Sequence, residues 1–425
     1  MGMFDASLKL QPWVLLGFMV VSQPGAAADY IVDGVPLPSD AKVGSPAEPS
    51  VQAQWAGAWV GAWGGVLKHI LLVESVADDG TARVVYSIGD NPAFGIRRAW
   101  SRHTATASGR RLTIAEAGFS ATYDLTDRQV LQATYVRGGI RSQATLVKAD
   151  VAVLTKPGAL VDWTGGKSEL LQTDLIEDGK PIRLEAVIFK PPGAGPFPLA
   201  VINHGSTGAG NNPTLFTETW FAVRPAEFLN ERGWMVAFPQ RRGRGKSDGV
   251  YDEGFSAERA KGYTCGADRS LAGAERALID VEAAIAALRR RPDVAPSRIL
   301  IGGQSRGGVL AVAYSGAHPD QIGGVINFVG GWLGGGCRTA KVVNETLFER
   351  GARFREPMLW LYGQRDPFYA MPHSRDNFAA FQRAGGQGTF LEFDVPGGNG
   401  HALIGYTQLW SAAIGDYVNS LKGGH

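Results

Sequence analysis

The sequence predicts an α/β fold, a mostly parallel sheet with helices on both faces, preceded by a small antiparallel β domain. Three observations carry this expectation. From about residue 170 onward, apolar runs alternate with stretches of helical periodicity, the pattern of a parallel sheet joined by crossover helices. Between residues 55 and 150 the apolar runs are shorter, alternate with polar positions and are separated by turn signals. In Arg298-Ile299-Leu300-Ile301-Gly302-Gly303-Gln304-Ser305-Arg306-Gly307-Gly308, an apolar strand runs into Gly-x-Ser-x-Gly and then a small-residue helix start.

Residues 1–28 carry Lys9, an apolar run from Trp13 to Val21, a Pro24-Gly25 break and Ala26-Ala27-Ala28. That is the layout of a secretory signal peptide. The run is too short to cross a bilayer as a helix. The expectation is therefore a secreted or periplasmic protein with no membrane span, cleaved before Asp29. Residues 29–54, rich in Pro, Ala, Ser and Gly, read as a linker.

Trp55, Trp59 and Trp63 open the β domain of residues 55–150. Alternating runs follow at His69–Val76, Ala82–Ile88, Arg111–Ala115, Ala121–Leu125, Val130–Tyr135 and Gln143–Val147. Asp78-Asp79-Gly80 and Gly138-Gly139 mark turns between them. The tryptophan stripe is either barrel core or a platform for lipid or glycan, and burial is the commoner fate of such rings. This region has no nucleophile–base pair and no metal-ligand spacing of its own.

Residues 170–425 form the candidate catalytic domain. Asp268–Arg291, with Ala, Leu and Ile at helical spacing, precedes the Gly-x-Ser-x-Gly strand as a helix. The glycines at 303 and 307 suit a strand-to-helix turn too tight for a β-carbon, which lifts Ser305 above the sheet edge as a nucleophile. Downstream, the strand Pro357–Tyr362 runs into a polar turn with Asp366. The strand Thr389–Val395 runs into a Gly-rich loop ending at His401. Nucleophile, carboxylate and base thus stand in one chain order, each after its own strand. His373 is the rival base, too near Asp366 in sequence to fold back over Ser305 easily. The strand Phe197–Ile202 ends at Asn203-His204-Gly205-Ser206-Thr207. Gly205 lets that backbone turn so that the N–H of Ser206, or else of Thr207, joins that of Arg306 in an oxyanion hole. His204 reads as the organiser of the loop rather than a second base.

Charge narrows the partners. Arg241, Arg242, Arg244 and Lys246 cluster within six positions, yet 42 Lys and Arg against 40 Asp and Glu leave a net charge of only +2. Without a wider basic face the cluster reads as a structural loop, with no nucleic acid bound. No cofactor fingerprint and no metal-ligand spacing appears in the chain.

Taken together, these residues resemble the α/β-hydrolase superfamily, most closely its dienelactone-hydrolase and prolyl-oligopeptidase-like branch of serine esterases and peptidases. The resemblance covers about residues 170–425. The Gly-x-Trp start of the preceding domain is similar to calycin-type barrels. Dienelactone hydrolases use a cysteine nucleophile, so Ser305 argues against that particular activity. Ser305-Arg306 is similar to the glucuronoyl esterase elbow, Gly-Cys-Ser-Arg-x-Gly, but Gln304 stands in place of its cysteine. The Arg306 side chain either contacts the oxyanion or an acidic substrate group, or pairs with a carboxylate on the helix surface. Cys265 and Cys337 lie on loops expected at the carboxyl edge of the sheet. In an oxidising compartment they form a possible disulfide stapling the site's rim, the alternative being two free thiols.

The resemblance implies a serine hydrolase that cleaves a small-molecule ester through Ser305, Asp366 and His401, and the layout of residues 1–28 adds the expectation that it is exported. A serine aminopeptidase or amidase is the alternative; it would need an acidic pair to hold a peptide amine, for which Glu218 and Glu227 are the nearest candidates. A non-catalytic lipid- or glycan-binding protein is the remote one. Oligomeric state leaves no trace in the sequence.

Overall fold

The computed structural model describes residues 30–41, 54–64, 67–91, 95–126, 129–138, 140–156, 161, 163, 166–297 and 299–422. The stretch read as a signal peptide lies outside the described residues. The chain divides into two compact units, Met1–Gly165 and Gly166–His425.

In the first unit, eight antiparallel strands close into a barrel. They are β3 (Gly57–Trp63), β4 (Leu67–Val76), β5 (Thr81–Ile88), β6 (Ala99–Ser108), β7 (Arg111–Glu116), β8 (Phe119–Leu125), β9 (Val130–Arg137) and β10 (Ile140–Ala149), with β10 pairing β3. The period-two rule sorts β3 cleanly. Trp59 and Trp63 join Trp55 in one buried cluster with Leu71, Tyr86 and Tyr123, while Ala58, Val60 and Ala62 face a second cluster. The tryptophan stripe is core. Within the stretch read as a linker, β1 (Tyr30–Val32) and β2 (Val35–Leu37) pair as a hairpin. Val32, Val35 and Leu37 bury against that second cluster, which explains why a Pro-rich segment is ordered there. A short helix, α1 (Val151–Leu154), capped by the Asp150 side chain, follows the barrel.

The second unit is an eight-stranded mixed sheet. Its strands are β11 (Lys167–Glu177), β12 (Lys180–Phe189), β13 (Leu199–Asn203), β14 (Met235–Pro239), β15 (Ile299–Gln304), β16 (Ile322–Phe328), β17 (Met358–Gly363) and β18 (Gly388–Phe393). Their spatial order is 11-12-14-13-15-16-17-18; β12 runs antiparallel to both of its neighbours, β11 and β14, and the remaining pairs are parallel. Helices α2 (Val223–Asn230) and α7 (Thr407–Lys422) pack together, while α3 (Ala267–Arg289), α4 (Arg306–Ala317), α5 (Ala340–Arg350) and α6 (Met371–Arg383) pack as a second group. The expected α/β architecture and its preceding antiparallel domain are both present.

Helix α3 shows why these residues take their places. Gly273, Ala274, Ala277, Val281, Ala284, Ile285 and Leu288 are buried at helical spacing. A β-carbon on Gly273 would lie 2.2 Å from the backbone nitrogen of Gly254. That close approach sets the loop carrying Glu253 against the helix, beside the candidate site.

Candidate active site

Ser305 sits between β15 and α4 with φ 57° and ψ −123°, a conformation that non-glycine residues rarely take. Backbone strain of this kind persists only where the surroundings impose it. Here the Ser305 N–H donates to Phe328 O at 3.0 Å, and Ser305 O accepts from Gly308 N–H at 2.9 Å. The two flanking glycines are required by contact: a β-carbon on Gly303 would lie 2.3 Å from the carbonyl carbon of Gly307, and one on Gly307 2.1 Å from Asn203 O. The side chain is not free to the solvent; Ser305 is only 5% exposed.

Asp366 and His401 meet. Asp366 Oδ2 lies 2.8 Å from His401 Nδ1. The other oxygen, Oδ1, accepts the backbone N–H groups of Phe368 at 2.8 Å and Tyr369 at 3.1 Å. His401 is placed by Asn399, whose side chain caps the short helical turn Gly400–Gly405, and by Gln304, whose Nε2 donates to His401 O at 2.8 Å. The residue before Ser305 therefore holds the loop of the histidine. Positions 363 and 400 make the approach possible, since a β-carbon on Gly363 would lie 2.3 Å from Gly400 O.

Among the described residues no hydrogen bond joins Ser305 directly to His401. Instead Ser305 Oγ lies 3.5 Å from Tyr369 Oη, which donates to Gly331 O at 2.6 Å. The Tyr369 ring stands 5.7 Å from that of His401, so this tyrosine touches both. Burial raises its hydroxyl pKa to about 12, leaving it a proton donor at ordinary pH.

On the other side of Ser305, β13 delivers His204 and Gly205. Buried His204 is neutral: burial, then the charges of Arg241 and Arg244, push its pKa well below the usual imidazole range. Nδ1 donates to Gly205 O at 2.8 Å, and Nε2 accepts the Arg241 backbone N–H at 3.1 Å. Arg241 Nη1 and Nη2 donate to His204 O and Gly205 O at 3.0 and 3.3 Å. The Gly205 carbonyl thus faces Arg241, and in a trans peptide the Ser206 N–H must point the opposite way. A β-carbon on Gly205 would be 3.0 Å from Ser305 Cβ, so this turn passes directly over the serine. The Thr207 N–H is occupied, donating to Tyr263 Oη at 3.2 Å. Arg306 opens α4, where an N–H has no partner within the helix.

The Arg306 side chain pairs with a carboxylate but is not on the surface. It is 3% exposed, donates to Glu253 O at 2.8 Å and Trp332 O at 3.2 Å, and reaches Glu253 Oε2 at 3.4 Å. Its guanidinium lies between two rings, 3.7 Å from the Tyr263 centroid and 4.3 Å from that of Trp332. Glu253 is shared with Arg241 at 2.5 Å. Burial alone would raise the Glu253 carboxyl, but the two arginines outweigh it and hold the pKa below its ordinary value.

Three of the loop's four basic residues, Arg241, Arg242 and Arg244, are buried, and Lys246 is exposed. Arg242 pairs with Asp280, and Lys246 lies 3.8 Å from Glu185. Arg244 differs: it is 6% exposed, donates Nε to Glu218 O, and leaves a buried Nη1 without a partner among the described residues. Of the acidic candidates for holding an amine, Glu227 pairs with Arg224, and burial raises the Glu218 carboxyl. His373 is bonded to Asn344 on α5 at 2.8 Å. Cys265 and Cys337 are disulfide-bonded, with Cα atoms 5.2 Å apart. Among the described residues no cluster of His, Cys, Asp or Glu is arranged to hold a metal, and no helix is long and apolar enough to cross a membrane.

The model of the dienelactone hydrolase family matches residues 184–406, just over half of the chain, and spans every residue of this site. The chain belongs to the dienelactone hydrolase family. It is a serine hydrolase of the α/β-hydrolase superfamily, with serine at the elbow position. No curated protein matches the sequence. Similar solved structures include Est1E from Butyrivibrio proteoclasticus with ferulic acid bound, at 18% identity and TM-score 0.41, covering 58% of this chain and 97% of that one. The Pyrococcus furiosus esterase Pf2001 is similar at 15% identity and TM-score 0.42, covering 62% and 95%.

Proposed function

We propose that the protein is an exported esterase that cleaves carboxylic esters through a triad of Ser305, His401 and Asp366. The observation that carries this reading is the 2.8 Å contact between Asp366 Oδ2 and His401 Nδ1, beside a serine in a strained elbow. With Nδ1–H donated to the carboxylate, Nε2 keeps its lone pair and can accept a proton.

In this mechanism the Ser305 hydroxyl turns from Tyr369 toward His401, and Oγ attacks the ester carbonyl carbon as its proton passes to Nε2. The N–H groups of Ser206 and Arg306 hold the oxyanion. Collapse expels the alcohol, which takes the proton back from Nε2. Water then attacks the acyl-enzyme with His401 as base; the carboxylic acid leaves, and the returned proton restores Ser305. Buried Arg244, whose Nη1 has no partner among the described residues and whose charge reaches His204 beside Ser305, supports an ester that carries a negative group of its own. The disulfide and the leader-like residues 1–28 support export.

The test compares kcat/KM for a matched ester and anilide of one short acyl group, with Ser305→Ala as the blank. Ser305-dependent turnover of the ester with little anilide cleavage is expected. Comparable anilide cleavage would replace the esterase reading with an amidase or peptidase.

A further inference from the structure

Tyr263 contacts both halves of the proposed oxyanion hole. Its hydroxyl accepts the Thr207 N–H at 3.2 Å and lies 2.9 Å from Thr207 Oγ1. Its backbone N–H donates to Ala209 O at 3.0 Å, so the turn after β13 is docked on this residue at two points. A β-carbon on Gly210 would lie 2.9 Å from the Tyr263 ring, which shows how closely the two segments approach. On its other side the ring covers the Arg306 guanidinium at 3.7 Å. The opposite face of that guanidinium meets Trp332, whose backbone N–H is held by Asn344 at 2.8 Å.

The disulfide joins the segments that carry these two rings. Cys265 lies two residues after Tyr263, and Cys337 five residues after Trp332. Thr339 also bonds to Cys265 O, adding a second tie at the same place.

We propose that Tyr263 is a positioning residue for ester hydrolysis, holding the Ser206 and Arg306 N–H donors in register, with the Cys265–Cys337 disulfide anchoring it. This rests on the triad and oxyanion roles proposed above. By taking the Thr207 N–H, Tyr263 leaves Ser206 as the donor facing Ser305. Its hydroxyl touches no reacting atom; besides Thr207 it meets the Tyr251 hydroxyl at 2.8 Å, and it acts on the donors through the loop.

The decisive variant is Tyr263→Phe, which keeps the ring over Arg306 and removes only the hydroxyl. Deleting an oxyanion donor typically lowers kcat ~100- to 1,000-fold; misaligning one should cost about tenfold. The expected result is that fall in kcat with KM within about twofold. Affinity for an arylboronic acid, which forms a tetrahedral adduct on serine, should weaken by the same factor. The double variant Cys265→Ala/Cys337→Ala should shift kcat and boronate affinity in the same direction. Unchanged kcat and boronate affinity in Tyr263→Phe, whatever happens to Tm, would overturn the proposal. If the wild type turns over no ester, the esterase reading fails separately. Tyr263 is then judged by the rate at which a fluorophosphonate labels Ser305: slower labelling in Tyr263→Phe supports the positioning role, and equal rates overturn it.

Discussion

Asp366 spends its two carboxylate oxygens differently: Oδ2 faces His401 Nδ1 at 2.8 Å, while Oδ1 accepts two backbone N–H groups from its own turn. The side chain is fully buried, so neither contact competes with water. One oxygen fixes the carboxylate, and the other sets the imidazole tautomer.

Asp366→Asn tests that division. The amide oxygen can still accept the turn's N–H groups, so the fold survives. The amide nitrogen would then donate toward His401 Nδ1 and move the ring proton to Nε2, which can no longer accept from Ser305. We expect kcat to fall by ~10,000-fold with Tm nearly unchanged. Steady-state kinetics with a thermal melt on the same preparation checks both halves.

Gly307→Ala tests the elbow's packing. Its new β-carbon would lie 2.1 Å from Asn203 O, a backbone atom that cannot swing aside. Overpacking of this kind costs about 1–3 kcal/mol or more. Gly335→Ala, with nothing within 4 Å, should stay within about 0.5 kcal/mol of wild type. Urea unfolding of the two variants measures the contrast.

Glu253→Gln removes the carboxylate shared by Arg241 and Arg306. Breaking a buried pair by deleting one partner costs about 3–5 kcal/mol. The pH dependence has a definite sign. The folded-state pKa of Glu253 is depressed, so its contribution is fully present above the ordinary carboxylate range and is lost as pH falls through the folded value. The stability difference between wild type and Glu253→Gln should therefore be largest near neutrality and shrink in acid. Chemical denaturation across that range would show it, and a difference that grows in acid would refute the assignment.

Arg244→Leu tests the charge preference. Wild type should favour the monoester of a short dicarboxylic acid over the neutral ester of equal length. In the variant the ratio of the two kcat/KM values should fall toward one. One good charge-assisted hydrogen bond is worth about 1.5–3 kcal/mol, a change in ratio on the order of tenfold to a hundredfold.

The parts legible in the sequence were those written in local pattern. The Gly-x-Ser-x-Gly strand, the strands leading to Asp366 and His401, and helix α3 announce themselves through apolar runs, tight-turn glycines and helical spacing. Strand β6 did not, because its ten residues are mostly small or polar and largely half-exposed. Strand β11 is likewise a polar edge strand with one buried side chain. The hairpin at 30–37 was hidden in a Pro-rich stretch; packing against Val60 and Ile70, with hydrogen bonds from Lys68 to Asp33 O and from Ser87 to Pro36 O, orders it. Around the site, Arg241, Glu253 and Arg306 come together from three separate segments, as do Gly363 and Gly400. No periodicity records such meetings. Tyr369 could have been singled out only as the aromatic three residues after the acid, a signal too common to weigh.

The central claim is that Ser305 forms a covalent acyl intermediate, and mass spectrometry of the protein quenched during turnover of an activated aryl ester tests it most directly. We predict an acyl adduct on the peptide containing Ser305, with adduct and turnover both absent in Ser305→Ala. Turnover that persists in Ser305→Ala, or an adduct that maps to another residue, would contradict it.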